Sequence, residues 1–302
     1  MTVRYAVTHR TEYGYDDAVT ASYGLAFLLP RPVPGRQAAT AQVVIEPAPV
    51  DRREHVDVFG NRALYFSVLT DHDRLVVTAT SIVDVDPPPP IDDGPPWESI
   101  RDLLAGRGGA HAAGTATADA IDAVEFVLPS PMIELSDSVA HYAAPSFAPG
   151  RPLLVAAKEL MHRIHDEFEY RPGATTLTTT LDEVVGLRSG VCQDFAHLLV
   201  GCLRSHGLAA RYVSGYLETQ PPPGQAKLQG ADASHAWASV YVPDHGWVDL
   251  DPTNGLVVDD RFVVTAWGRD YTDVPPLKGV IFTESKRSTL DVAVDVVRQP
   301  PT

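Results

Sequence analysis

The chain has 302 residues, 44% of them hydrophobic and 21% charged, enough to bury a sizeable core and to divide into two domains. Against 39 acidic residues stand 24 basic ones, and the resulting formal charge of −15 argues against nucleic acid or an anionic membrane as the main partner. No stretch approaches the ~18 consecutive apolar residues that span a bilayer.

The opening MTVRYAVTHRTEYGY reads as a strand and not as a leader, so a cytoplasmic location is expected. RYAVTHRTEY, AQVVIEP, RALYFSVL and RLVVTATSIVDV are β-branched or aromatic runs bounded by turn residues, as in a series of strands. In DVFGNRAL, Gly60 and Asn61 supply a turn in which both are able to take positive φ. Residues 1–86 therefore read as an antiparallel, β-sandwich-like domain. DPPPPIDDGPPWE (86–98) lacks the N–H groups a ladder or helix needs, and RGGAHAAGTATADA (107–120) reads as a small, polar loop. Together they make 87–130 a Pro/Gly-rich linker with short helices.

From 131 to 302 the pattern turns to α+β. In RPLLVAAKELMHRIHDEFEY, Leu153, Ala157, Leu160, Ile164 and Phe168 recur at helical spacing, with Pro152 suited to the helix start. A second helix begins at Cys192, with Phe195, Leu198, Leu199, Cys202 and Leu203 as its apolar stripe and Gly207 as its stop. ARYVSGYLE, HAWASVYVP and GWVDLDP read as strands, and KGVIFTES and TLDVAVDVVR are expected to add two more to this half.

Only two cysteines occur, and on one helix their spacing of ten positions puts them roughly 15 Å apart, beyond disulfide reach. Free thiols fit a reducing compartment. Cys202 lies on the apolar stripe and reads as core. Cys192 opens the helix, where exposed N–H groups favour a thiolate and are able to bond a developing oxyanion. A nucleophilic thiol needs a base held by a third group. If 235–242 and 247–251 form a hairpin, His235 at the start of one strand meets Asp251 at the end of the other, at cross-strand distances of about 5 Å. Asp249 points to the same face, deeper along the strand, and is the rival.

SGVCQDFAHLLVGCLRSHGLAARYVSGYL and SHAWASVYVPDHGWVDLDPTNG, in the order Cys, His, Asp, resemble the bacterial transglutaminase-like superfamily. THRTEYGYDDAV, LLPRP and DVFGN resemble the β-domain that precedes it in one bacterial branch, and GRDYTDVPPLKGV that branch's C-terminal segment. The resemblance implies a papain-like fold, with Cys192 as nucleophile, His235 as general base and acid, and Asp251 as orienter. It implies an acyl-thioester enzyme, a cysteine peptidase or amidase or an acyltransferase, and needs no cofactor. Hydrolysis is the default expectation, because no residues identify an amine site; a non-catalytic interaction module is the remaining alternative. The expected substrate is a protein, a peptide or an amide-containing small molecule, and the oligomeric state is not legible.

Gln193, Asp194, Tyr216 and Trp237 are further candidates for substrate contact, as is the GRDY stretch at 268–271. Each has a plainer reading: Asp194 as a helix-dipole partner, Trp237 and Trp247 as shielding aromatics, His197 as a structural histidine. His162, His165, Glu167 and Glu169 fall at different angles round their helix and read as a solvated face, so no metal is expected. No Gly-rich nucleotide motif occurs.

Overall fold

A computed structural model describes residues 2–107, 118–219 and 234–300. Its first part is organised by one very long strand, β1 (Val3–Ala26), whose alternate residues are buried. It is followed by β2 (Arg36–Glu46), β3 (Asp51–Val56), β4 (Arg62–Val68) and β5 (His72–Val85). The register of β1 against β5 breaks between Gly14 and Val19, and beyond the break β1 takes β4 as its partner, giving the order β2-β5-β1-β4-β3. The strand thus serves two layers of one bent antiparallel sheet. Between the layers lie Val43, Ile45, Leu64, Phe66 and Val77, all buried in one cluster. In the 57–61 turn Gly60 has positive φ, as expected, but Asn61 does not. Asn61 instead spends its side chain, donating from Nδ2 to Asp57 and to the Trp267 carbonyl while Oδ1 accepts from Trp267 N and Arg31 Nη1.

After the proline segment come α1 (Trp97–Leu104), α2 (Ala118–Ala123), α3 (Asp137–Ala143), α4 (Leu153–Glu167), β6 (Glu169–Tyr170), α5 (Leu181–Leu187), β7 (Ser189–Gly190) and α6 (Cys192–Ser205). Then follow β8 (Ala210–Leu217), β9 (Ser234–Val242), β10 (Gly246–Asp251), β11 (Leu256–Val257) and β12 (Phe262–Gly268), which form an antiparallel sheet ordered β11-β10-β9-β8-β12. α6 is central, with Leu198, Leu199, Cys202 and Leu203 fully buried among α3, α4 and the sheet. Ile100 and Leu104 of α1 and Ala123 of α2 pack into this same core, so the helices within 87–130 belong to the second half. Most of the 107–120 loop lies outside the described residues. The fold is α+β, a β-rich half-barrel followed by a helix-and-sheet core.

The last strands depart from expectation. β13 (Leu277–Thr283) and β14 (Ser288–Arg298) do not extend the second sheet; they pair antiparallel with the two halves of β1. The reason is burial. Val294 and Val296 of β14 sit fully covered with Tyr5, Val7, Val83 and Val85, against Tyr216 and Val263 of the second sheet. The chain's two halves are therefore joined at their sheets as well as through the linker.

Candidate active site

Cys192 is the first residue of α6 and its position is fixed by the turn before it. The parallel pairing of Glu169 with Ser189 brings the strand end to the helix mouth, after Arg188 closes α5 in the left-handed region at φ 52°. Asp194, at the third helical position, reaches back to accept the Val191 N–H at 2.8 Å, and its Oδ2 also accepts from Thr175 Oγ1 at 2.7 Å. Gly190 is required here, because a Cβ would stand 2.7 Å from that same carboxylate oxygen. The N–H groups of Cys192 and Gln193 have no acceptor within the helix and face its mouth. The thiol is half-buried, packed with Phe27 and Ala63 from the first half and Ala196, Tyr212, Ala236 and Tyr271 from the second.

β9 and β10 form the expected hairpin, in a register that pairs Leu250 with Ala238. Continued by one residue, it sets Asp251 beside Trp237 and one diagonal step from His235. The imidazole covers that step: His235 Nε2 is 2.8 Å from Asp251 Oδ2. The same ring interacts with Cys192, which favours the charged imidazole. With Nε2 committed to Asp251, Nδ1 is the nitrogen left for the thiol. Asp251 is completely buried, and its other oxygen accepts the N–H groups of Thr253 at 2.9 Å and Asn254 at 3.2 Å. Asn254 Nδ2 adds a third bond, 2.7 Å to Oδ2. The rival, Asp249, lies across from Ser239, and its charge acts on Arg211.

Electrostatics follow the geometry. Burial alone disfavours a charged His235, but the bonds to Asp251 and Cys192 outweigh it and push the imidazole up to about 10. Burial likewise opposes the Asp251 charge, and the bonds from His235 and Asn254 hold the carboxyl below its ordinary value. The buried pair is thus set to carry an imidazolium against a carboxylate.

Of the other candidates, Gln193 is half-buried on the first turn of α6, beside the thiol. Asp194 is corrected: it is buried, with its carboxylate engaged by Val191 and Thr175. Tyr216 is also corrected, because its face of β8 is covered by the first half; it is 2% exposed and its hydroxyl contacts His9 Nδ1 at 3.1 Å. Trp237 is no exposed platform either. Fully buried, it lies over Gly215, whose Cβ would meet its ring, and backs His235 with ring centroids 6.1 Å apart. The GRDY stretch is structural in its backbone: Tyr271 N donates to His197 Nε2, and burial pushes His197 down to about 4, leaving it neutral as that acceptor requires. Cys202 is enclosed, and burial pushes its thiol up. Glu167 pairs with Arg163 and Arg188, Glu169 with Arg171, and His165 Nδ1 with the Thr253 carbonyl. Among the described residues no three potential metal ligands cluster, and no helix is long and apolar enough to cross a membrane.

Asn254 and Thr175 belong to this arrangement and were not singled out from sequence. Asn254 carried a faint signal in DPTNG, where Asx residues bond nearby backbone; Thr175 carried none, being one of several threonines in a loop.

Residues 5–84 match the family described as the bacterial transglutaminase-like N-terminal region, and residues 141–252 the transglutaminase-like superfamily. An uncharacterized protein of Mycobacterium tuberculosis (strain H37Rv) is 49% identical over 305 residues, spanning 98% of this chain and 93% of the relative. A protein-glutamine gamma-glutamyltransferase of Pseudomonas aeruginosa is 33% identical over 109 residues, 35% of this chain but 16% of that protein. The crystal structure of a candidate cysteine protease from Cytophaga hutchinsonii superposes with a TM-score of 0.72 at 18% identity, covering 100% of this chain and 93% of the other. That last likeness is one of fold.

Proposed function

Because the chain belongs to the transglutaminase-like superfamily and carries its bacterial N-terminal region, we propose that it cleaves an amide or peptide bond through an acyl-thioester on Cys192. One observation carries this reading: a single imidazole, His235, is bonded to a buried carboxylate and interacts with the helix-mouth thiol. His235, held as the imidazolium, already carries the proton taken from Sγ when the sulfur attacks the carbonyl carbon. The N–H groups of Cys192 and Gln193 are placed to bond the oxyanion, whose stabilisation is commonly worth a factor of ~10²–10³ in such sites. The imidazolium then gives its proton to the departing amine, leaving the thioester. Water, deprotonated by His235, attacks the thioester; the acid leaves and Sγ is reprotonated. Asp251 keeps the ring oriented and stabilises its cation throughout. The chemistry needs no metal or organic cofactor.

A second reading, transfer of the acyl group to an amine in place of water, is supported by the likeness to the Pseudomonas gamma-glutamyltransferase. One experiment separates the two. Acid quenching with glutamine-containing peptides is expected to leave a mass adduct on Cys192, and added primary amine distinguishes free acid from amide product. No adduct with any amide, in protein whose Cys192 alkylates normally, would sink both.

A further inference from the structure

β13 (Leu277–Thr283) is held on one side only. Among the described residues it pairs with β1 and with no other strand, so its far edge faces outward. The phase of that pairing decides which backbone groups are left over. Pro276 O accepts the Phe27 N–H across the ladder. Backbone groups alternate in side along a strand, so those of Lys278, Val280 and Phe282 turn toward β1, and those of Leu277, Gly279, Ile281 and Thr283 turn outward. An edge of this kind is a template for another strand, and folded chains blunt it with charge, proline or a cover.

The middle of β13, Gly279 to Phe282, carries neither charge nor proline. Val280 is 62% and Phe282 57% exposed, with Ile281 and the neighbouring Tyr23 also at the surface. Tyr23 of β1 stands opposite Val280 and meets the Phe282 ring edge-on, 6.1 Å between centroids, so all three share one face. Ile281 lies on the other face, lining a pocket with Phe66 and Leu75. The edge of β14, which continues along β1, differs. It carries Asp291 and Asp295, which pairing with a copy of itself about Ala293 would set against each other.

The residues of β13 fit a copy of the same strand in one register. Centred on Ile281, the run Lys-Gly-Val-Ile-Phe-Thr-Glu (278–284) reads against itself: Lys278 meets Glu284 of the other copy, Val280 meets Phe282, Gly279 meets Thr283, and Ile281 meets its counterpart. The outward-turned Gly279, Ile281 and Thr283 then make the hydrogen-bonded pairs. Lys278 with Glu284 and Val280 with Phe282 make the non-bonded pairs, where side chains come closest. Both charges are exposed, Lys278 spending one donor on Thr272 O at 3.0 Å. Moving the centre to Val280 sets Lys278 against Phe282, and moving it to Phe282 sets Lys278 against Lys286. A two-fold repeats each ion pair, as a self-complementary contact requires.

We propose that two copies of this chain join edge to edge through β13, antiparallel and centred on Ile281. The first sheet then runs on across a molecular two-fold, and Tyr23, Val280 and Phe282 of both copies form one contiguous apolar strip. The contact does not rest on the reaction assigned to Cys192.

Sedimentation velocity of the full chain from ~1 to ~100 µM tests it, at ~0.15 M salt, where repulsion between two copies of charge −15 is screened beyond ~8 Å. The native chain is expected to reach twice its monomer mass within that range. Lys278→Glu or Glu284→Lys alone places two like-charge pairs in the contact and is expected to weaken dimerisation ~10-fold or more. The double exchange Lys278→Glu with Glu284→Lys reverses both pairs and is expected to return the dissociation constant to within ~3-fold of the native one. That recovery separates the register from any loss of the Thr272 contact. Ile281→Lys puts two cations at the two-fold and is expected to leave only monomer, with far-UV circular dichroism unchanged; should it misfold, the exchange series decides alone. A chain still monomeric at ~100 µM overturns the proposal. So does a dimer that persists in Ile281→Lys, or single exchanges that the double exchange does not rescue.

Discussion

At the scale of single residues, the imidazole of His235 is the junction on which the proposed reactivity of Cys192 depends. Replacing Asp251 by Asn removes the charge that supports the imidazolium, and alkylation of Cys192 by iodoacetamide at neutral pH is expected to slow by at least ~10-fold. Cys192→Ala should abolish the label altogether, since Cys202 is enclosed; a label persisting on Cys202 in folded protein would refute that enclosure. The pH dependence has a definite sign. His235 titrates at about 10 in the folded chain, against ~6.5 in an unfolded one. Its contribution to stability is complete below about pH 6.5 and is lost as pH rises through about 10. Urea midpoints are therefore expected to fall across that window more steeply in the native sequence than in His235→Gln; parallel curves would contradict the coupling. The helix start at Cys192 and the hairpin that brings His235 to Asp251 were legible in the sequence, because both are local features whose geometry spacing dictates. Asp251 over Asp249 was decided by the side chains, the bond crossing the ladder diagonally from His235.

At the scale of elements, the mouth of α6 is held by one carboxylate that ties a loop, a strand end and a helix together. Asp194→Ala leaves the Val191 N–H and Thr175 hydroxyl unpaired and is expected to cost ~1–2 kcal/mol of unfolding free energy. Gly190→Ala forces a methyl onto that carboxylate, for ~1–3 kcal/mol. Both act through the same oxygen, so the double variant is expected to cost less than the sum, measurable as a double-mutant cycle in urea. Full additivity would refute the shared mechanism. Asp194, Tyr216 and Trp237, read from sequence as candidates for substrate contact, are buried in the structure. Strand and helix patterns say which residues share a face, and say nothing of what covers it. β8 is buried along nearly its whole length, Tyr216 against Tyr5 and Val7 of the first half and Ala210 and Val213 against the second half's own helices and sheet.

At the scale of the whole molecule, β1 is the element that cannot stand alone. Truncation after Pro276 removes β13 and β14 and uncovers the core around Tyr5, Val7, Val83 and Val85. The product, and likewise an isolated 1–86 fragment, is expected to lack a cooperative urea transition; a sharp one in either would show that the first sheet closes without its last strands. The environment of the proposed nucleophile also depends on this assembly, since Phe27 and Ala63 of the first half pack in the cluster that holds Cys192.

The sequence by itself determined the α+β class, the strand-rich beginning, the helix that starts at Cys192 and the hairpin that presents His235 and Asp251. These follow from periodicity, turn residues and short-range spacing, which act within a dozen residues. Only the tertiary structure decided that the last two strands return to β1, that β13 is left with an outward edge, and that Asn254 braces Asp251. Those depend on contacts between remote segments, such as Tyr5 with Arg298 and Asn61 with Trp267, and the packing that selects among such partners leaves no local mark on the chain. For RSGVCQDFAHLLVGCL, the sequence singled out Cys192 as the candidate nucleophile, and the fold supplied the walls around it.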